Sequence, residues 1–273
     1  MSTDLIAEPA AFARSELDAR LIDRLVTACH ILYVEGQNDF NHGQVSARRG
    51  LTDRYWIRSA AIGFDEATAD SFALCEADGR RIAGKVVVPP EWPIHSAIYR
   101  ARPDVHAIVH THAPNALVFG ARPRPLEPIS HDGCPFHGRL GHFDATTNTI
   151  TTLDVAEHLG GVLGDGCAIL LRNHGLVTAG RSVKEAIILA ICLEQACAFQ
   201  LKAEASGTFL ASPPEDIEPK RGFIFNDVAI NTYWAYFERK LGRIKQGLQL
   251  PQTRNLPPRR RSCPWSRRWT SKT

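Results

Sequence analysis

The sequence contains no paired-cysteine motif. Its seven cysteines are an odd number, are scattered along the chain and form no CxxC pair. Disulfide-stabilised secreted proteins and cysteine zinc clusters both need cysteines at close, regular spacing. Neither class is predicted, and the cysteines are expected to be reduced and mostly buried.

The sequence also lacks a recognisable targeting or membrane-spanning segment. Its first 20 residues carry four acidic side chains and do not show the basic-then-apolar order of a secretory signal. No uninterrupted apolar run reaches the length of a membrane span. We therefore predict a cytoplasmic protein that has no membrane partner.

Internal repeats and a glycine-rich phosphate fingerprint are absent too, so nucleotide binding is not indicated. The net charge is +3, but residues 255–273 hold six basic side chains and no acid, which leaves −3 on the rest of the chain. We predict one domain over residues 1–250 and a basic, disordered tail over residues 251–273. No nucleic-acid partner is expected, although a contact through the tail is the alternative.

Apolar periodicity predicts helices and strands in irregular alternation. Helices are expected over residues 15–35, after Pro89-Pro90, and after a capping box formed by Ser182 and Glu185. Strands are expected over residues 105–112 and 167–175, among others. Residues 36–50 mix glycine with short polar residues, as where backbone approaches a ligand. Because there is no strict βαβ repeat, the pattern favours a layered α+β domain.

Two histidines stand two positions apart in a predicted apolar strand. Because side chains alternate across a sheet, the imidazoles of His110 and His112 leave the same face. His174, at the end of another strand, could supply a third nitrogen, as in catalytic zinc sites. Glu91 lies on the helix before the first strand and could act as a fourth ligand or an acid–base group. The alternatives are packing roles for the histidines and a helix-dipole role for Glu91.

Three blocks of the sequence resemble, in order and separation, the signature blocks of the class II aldolase/adducin family, typified by fuculose-phosphate aldolase. These blocks are HGQVSAR, PPEWPIHSAIYRARPDVHAIVHTHAPNA and LLRNHGLVTAGRSVKEAI. The resemblance implies a three-layer α/β/α sandwich around a largely antiparallel sheet, and a homotetramer with active sites at subunit interfaces. It also implies that His110, His112 and His174 bind one divalent metal ion, zinc or manganese, and that Glu91 is the acid–base carboxylate.

Departures from the aldolase pattern bear on the substrate. Pro89 and Pro90 stand where sugar-phosphate aldolases of this family carry two small hydroxyl residues that hold the phosphate, and proline offers neither a hydroxyl nor an N–H. The family's threonine-glycine phosphate loop reads IRSAAIGF here. An asparagine common in the first block is replaced by Gln44. A phosphorylated sugar is therefore not expected.

Other residues indicate a small carboxylate substrate. Arg48 and Arg58 could each bind a carboxylate through two hydrogen bonds, with structural ion pairs as the alternative. Gln44 and Ser59 complete the predicted substrate contacts. His131 stands near the position at which, by the family resemblance, the aldolases carry a proton-donating tyrosine. A histidine there could protonate a ring carbon, with packing as the alternative.

These features favour the family's decarboxylase branch, which acts on hydroxylated aromatic or pyridine dicarboxylates. We predict a metal-dependent carbon–carbon lyase of aromatic catabolism. It would decarboxylate an unphosphorylated hydroxyaromatic or hydroxypyridine carboxylate through a metal-stabilised enolate. Two alternatives stay open: a class II aldolase that cleaves a hydroxy-ketone or sugar phosphate, and a non-catalytic, adducin-like interaction module. Adducin-like relatives tend to lack the histidine set that is complete here.

Overall fold

The structure is a computed structural model that describes residues 15–50, 52–122 and 124–247. The predicted basic tail therefore lies outside the described residues, and the domain boundary at residue 250 stays a prediction. Six of the seven cysteines are described; all six are free and five of them are buried, as expected.

An eight-stranded sheet forms the middle layer. In chain order its strands are β1 (Gln44–Arg48), β2 (Tyr55–Arg58), β3 (Phe72–Cys75), β4 (Arg81–Ala83), β5 (Ala107–Thr111), β6 (Leu140–Phe143), β7 (Ala168–Leu171) and β8 (Gly175–Gly180). The order across the sheet is β4-β3-β2-β1-β5-β8-β7-β6. Every neighbouring pair is antiparallel except β6 and β7. The prediction of a largely antiparallel sheet is confirmed.

Helices cover both faces of the sheet. They are α1 (Glu16–Val34), α2 (Trp92–Ala101), α3 (Pro114–Gly120), α4 (Leu153–Leu163), α5 (Val183–Ser206), α6 (Pro214–Ile224) and α7 (Asp227–Lys245). Helices α2 and α4 pack together on one face, and α1, α3 and α5 pack on the other. Helix α7 lies against α1 and α5. The predicted three-layer α+β arrangement is confirmed.

Strand alternation separates two apolar cores and decides which face carries the polar groups. On β1, Val45 and Ala47 belong to the core under α1 and α5. On β5, Val109 belongs to that same core, whereas Ile108 belongs to the core under α2 and α4. His110 is two residues from Ile108 and therefore shares its face, so that it meets the start of α2.

Serine hydroxyls cap the first turns of α1 and α5. The Ser15 hydroxyl accepts a hydrogen bond from the Asp18 amide at 3.1 Å, and the Asp18 carboxylate accepts one from the Ser15 amide at 3.2 Å. The Ser182 hydroxyl accepts from the Glu185 amide at 3.2 Å. The Glu185 carboxylate, however, accepts from the Arg181 amide, so only half of the predicted capping box forms.

Helix α5 is long and apolar enough to cross a membrane by length and composition alone. In the fold, 56% of its most apolar window is buried, and the helix packs against β5, β8 and α3. Burial in the protein core accounts for this composition, because a central helix surrounded by other elements has few solvent-facing positions.

Candidate metal centre

Four side chains that could ligate a metal converge at one end of the central strands. Glu91 lies at the position that caps α2, His110 is on β5, His112 follows β5, and His174 lies in the turn between β7 and β8. One ligand atom from each lies within 4.8 Å of all the others. Glu91 and His110 are buried, and the other two histidines are half-buried. The structure thus brings together the four side chains for which the sequence predicts metal binding and acid–base chemistry.

Close packing of the β7–β8 turn against β5 places His174 beside the other two histidines. Strands β5 and β8 pair antiparallel, with Thr111 opposite Leu176. Asn173 adopts a left-handed backbone conformation, with φ of 55°. At Gly175 an added Cβ would lie 2.2 Å from the carbonyl oxygen of Thr111. A side chain at Gly175 would therefore push the turn away from β5, and only glycine allows this approach.

The imidazoles of His110 and His112 are each held at Nδ1. His110 Nδ1 lies 2.9 Å from the Leu176 carbonyl oxygen, and His112 Nδ1 lies 2.8 Å from Asp39 Oδ2. The Nε2 atom of His112 is buried without a hydrogen-bond partner, and the buried Nε2 of His110 has the Glu91 carboxylate beside it. Buried polar atoms are nearly always partnered. Two such nitrogens beside a carboxylate fit a divalent metal ion, which neutral imidazole and carboxylate ligands commonly bind.

The Glu91 carboxylate joins the histidines to the surrounding chain. Its Oε2 lies 3.2 Å from His110 Nε2, and its Oε1 lies 3.3 Å from His174 Nε2. Oε1 also accepts a hydrogen bond from the Ile150 amide at 3.1 Å. Burial alone would raise the pKa of Glu91, but the charge of His110 and the hydrogen bonds to both histidines hold that pKa well below its usual range. The group is ionised at neutral pH, as a metal ligand or proton acceptor must be.

A cavity of about 480 Å³ opens beside the cluster. Its lining includes Glu91, His112 and His174. The rest is neutral amides, hydroxyls and apolar groups plus one further histidine: Asn41, His42, Gln44, Ala60, Pro90, Leu117, Thr147, Thr149 and Asn173. Among the described residues, no lysine or arginine lines this cavity. Gln44 is thus placed beside the cluster, with its Nε2 3.5 Å from Glu91 Oε2, and its substrate contact stays a prediction.

The two arginines that the sequence predicts to bind a substrate carboxylate are hydrogen-bonded to backbone carbonyls instead, which corrects that prediction. Arg58 is completely buried, and its guanidinium donates to backbone carbonyls of residues 41–43 and of Ile62. Arg48 donates to the carbonyls of Tyr99 and Arg102 at the end of α2. Both side chains are buried and direct guanidinium N–H groups at backbone carbonyls of their own chain, so neither presents its fork to a ligand, although the Nε atom of each has no hydrogen-bond partner.

Ser59 and His131 also lie outside the cavity of their own chain. Ser59 is buried, and its hydroxyl accepts a hydrogen bond from the Ala61 amide at 3.1 Å; its substrate contact stays a prediction. His131 is exposed and lines a different cavity of about 370 Å³ beside α5 and α7. Its catalytic role stays a prediction, restricted to a site that a second copy of the chain would complete.

Several cavity residues had not been predicted individually. Asp39, which contacts His112, and the cavity residues Asn41 and His42 belong to the glycine-rich polar segment, and that composition was the available signal. Thr147 and Thr149 come from the loop after β6, which carries no comparable pattern.

Comparison with known proteins agrees with the fold. The family described as "Class II Aldolase and Adducin N-terminal domain" matches residues 23–201. "Decarboxylase NovR" of Streptomyces niveus is 34% identical over 167 residues, which cover 60% of each chain. The "3,4-dihydroxyphthalate decarboxylase" of Arthrobacter keyseri is 27% identical over 216 residues, covering 71% of this chain and 82% of that protein.

A solved structure shows the same architecture. The "L-fuculose 1-phosphate aldolase from Glaciozyma antarctica PI12" superposes with a TM-score of 0.73 at 26% identity, covering 86% of this chain and 96% of that one. The match to the first curated relatives is shorter and spans about 60% of their length.

Proposed function

The chain belongs to the class II aldolase and adducin family, and from that premise we propose that it is a metal-dependent decarboxylase. Its substrate would be an unphosphorylated hydroxyaromatic or hydroxypyridine carboxylate. The observation that carries the proposal is the cavity beside the cluster of Glu91 and three histidines, whose described lining contains no lysine or arginine. We also propose a cytoplasmic location and a homotetramer, on the family resemblance.

The absence of lysine and arginine from the described lining of the cavity bears on which bond breaks. A dianionic phosphate needs several donors or cations, and the described lining offers Pro90 and no cationic side chain where a sugar phosphate would require them. A carboxylate that leaves as carbon dioxide loses its charge in the reaction. Cations that stabilise the starting carboxylate would therefore slow the step, since only interactions stronger in the transition state accelerate it. A cavity without them favours decarboxylation.

The cluster supplies the groups that the reaction needs. His110, His112 and His174 would hold the metal, and a divalent ion bound there supplies Lewis-acid stabilisation of charge on an oxygen next to the breaking bond. The Glu91 carboxylate lines the cavity, where one of its oxygens can accept the proton of a substrate hydroxyl.

The remaining groups orient the substrate and complete the proton balance. We infer that the amides of Asn41 and Gln44, with the hydroxyls of Thr147 and Thr149, which line the cavity, orient the hydroxyl and carboxylate groups of the substrate. Glu91 can pass the hydroxyl proton to the ring carbon that bears the carboxylate. The bond from that carbon to the carboxylate then breaks, its electron pair moves through the ring to the hydroxyl oxygen, and carbon dioxide leaves. The oxygen regains a proton from water, which completes the balance.

A substrate panel tests this proposal. Purified protein supplied with Zn²⁺ or Mn²⁺ is given hydroxyphthalates, hydroxypyridine dicarboxylates and sugar phosphates, and both carbon dioxide and aldehyde are measured. We expect carbon dioxide from at least one hydroxylated aromatic acid and no aldehyde from the sugar phosphates. Aldehyde from a sugar phosphate, without carbon dioxide from any acid, would establish the aldolase alternative. Absence of both products and of bound metal would favour an interaction module.

A further inference from the structure

We propose that Asp39 is a positioning residue that orients His112 for metal binding. The inference rests on the proposed function, because that function includes a metal ion at the cluster. His112 Nδ1 lies 2.8 Å from Asp39 Oδ2, and His112 Nε2 is buried without a hydrogen-bond partner. An imidazole that donates its proton through Nδ1 carries a lone pair on Nε2, the atom on the cluster side.

His112 needs such a partner because the sheet does not hold its ring. The residue follows the end of β5, whereas His110 lies within β5 and points its Nδ1 at the Leu176 carbonyl oxygen of β8. Backbone pairing therefore supports the ring of His110, and a side chain must do so for His112. Among the described residues, Asp39 is the carboxylate within hydrogen-bond distance of that ring.

The segment that carries Asp39 is itself fixed to the sheet. The His42 amide donates to the Asp39 carbonyl at 2.8 Å, which closes a tight turn. The buried guanidinium of Arg58 donates to the carbonyls of Asn41 and His42 at 2.9 and 3.1 Å and to that of Gly43. The Asp39 side chain is 39% exposed, yet the backbone that follows it, over residues 41–43, is anchored by a fully buried arginine.

The same segment rests directly on the strand that carries the ligands. Gly43 has a positive φ of 74°, and an added Cβ there would lie 2.9 Å from the His110 carbonyl oxygen. Phe40 also adopts a left-handed conformation, with φ of 47°, in the residue after Asp39. Non-glycine residues rarely adopt this conformation, so surrounding contacts must enforce the turn that aims Asp39 at His112.

Removal of Asp39 should therefore weaken metal binding without unfolding the protein. Loss of a carboxylate that hydrogen-bonds a metal-ligating histidine typically weakens metal affinity by about 10–100-fold, because the carboxylate fixes the tautomer and increases the basicity of the ring. Asp39→Ala removes both the charge and the acceptor. Asp39→Asn removes the charge but keeps a side-chain oxygen that can accept the Nδ1 proton. Asp53→Ala, at an exposed aspartate before β2, is the matched control.

The experiment measures Zn²⁺ affinity by competition with a chromophoric chelator, thermal unfolding of each metal-free variant, and the ring ¹H–¹⁵N spectrum of zinc-loaded protein. We expect one zinc per wild-type chain, about 10–100-fold weaker binding in Asp39→Ala, a smaller loss in Asp39→Asn, and unchanged binding in Asp53→Ala. The slowly exchanging Nδ1 proton of His112 should disappear in Asp39→Ala, and the melting temperature should not change.

The outcomes separate this inference from the function on which it rests. Wild-type affinity in Asp39→Ala would overturn the role of Asp39 while leaving the metal site in place. Equal losses in the alanine and asparagine variants would also overturn it, because the charge alone, rather than an oriented hydrogen bond, would then act. Failure of the wild-type protein to bind zinc or manganese would overturn the proposed function itself.

Discussion

Replacement of Arg58 by methionine should destabilise the protein by about 4 kcal/mol. The guanidinium donates to the carbonyls of Asn41, His42, Gly43 and Ile62, and methionine can donate to none of them. An unsatisfied buried acceptor costs about 1–3 kcal/mol, and the lower value applies because three of these four contacts are only part-buried. For a domain of this size, about 4 kcal/mol corresponds to a fall in Tm of roughly 8–16 °C.

Thermal unfolding of metal-free protein, followed by circular dichroism, measures this effect apart from metal binding. Arg54→Met is the matched control, since Arg54 is exposed and pairs with Glu76 at 3.1 Å. Exposed ion pairs contribute about 0–1 kcal/mol, so this variant should melt within about 4 °C of the wild type. A wild-type Tm in Arg58→Met, together with a raised KM for a carboxylate substrate, would refute the reasoning and restore Arg58 as a substrate ligand.

Two further predictions concern buried ionisable groups. Glu91→Gln should keep the fold and bound metal, as checked by elemental analysis, but slow turnover by about 10²–10⁴-fold, and near-normal turnover would remove Glu91 from the chemistry. Burial, aided by the charge of His110 and opposed by Glu91, lowers the pKa of His95 to about 3. Between about pH 6.5 and 3 the unfolded chain therefore binds a proton at His95 that the folded chain does not, and stability falls as the pH falls. Denaturant unfolding measured across this range gives the slope of the unfolding free energy against pH. In His95→Phe that slope should be smaller by the equivalent of up to about one proton, and an unchanged slope would contradict the assignment.

Strand alternation was sufficient to predict the histidine pair. A period of two placed His110 and His112 on one face, and an apolar run that ends at His174 indicated a neighbouring strand end. The structure adds that His112 lies beyond the strand, a difference of one residue that the pattern could not resolve. The structure also shows the hydrogen bond between His112 and Asp39, which depends on how the turn between α1 and β1 folds.

The arginines show where sequence reasoning fails. Arg48 and Arg58 lie at the ends of paired strands. An arginine can donate equally well to the carboxylate of a ligand and to backbone carbonyls of its own chain. The loop over residues 41–43 and the end of α2 supply those carbonyls. Such choices depend on how loops close in three dimensions, which neither periodicity nor family blocks encode.

Metal titration of the stripped protein tests the central claim most directly. Purified chain is freed of metal, Zn²⁺ or Mn²⁺ is added back, and carbon dioxide release from an active hydroxyaromatic acid is followed beside His174→Ala. The account predicts that activity rises to saturation at one ion per chain, and that the variant, with a ligand removed, recovers little of it. Activity that survives complete removal of metal, or full recovery in His174→Ala at the same stoichiometry, would contradict it.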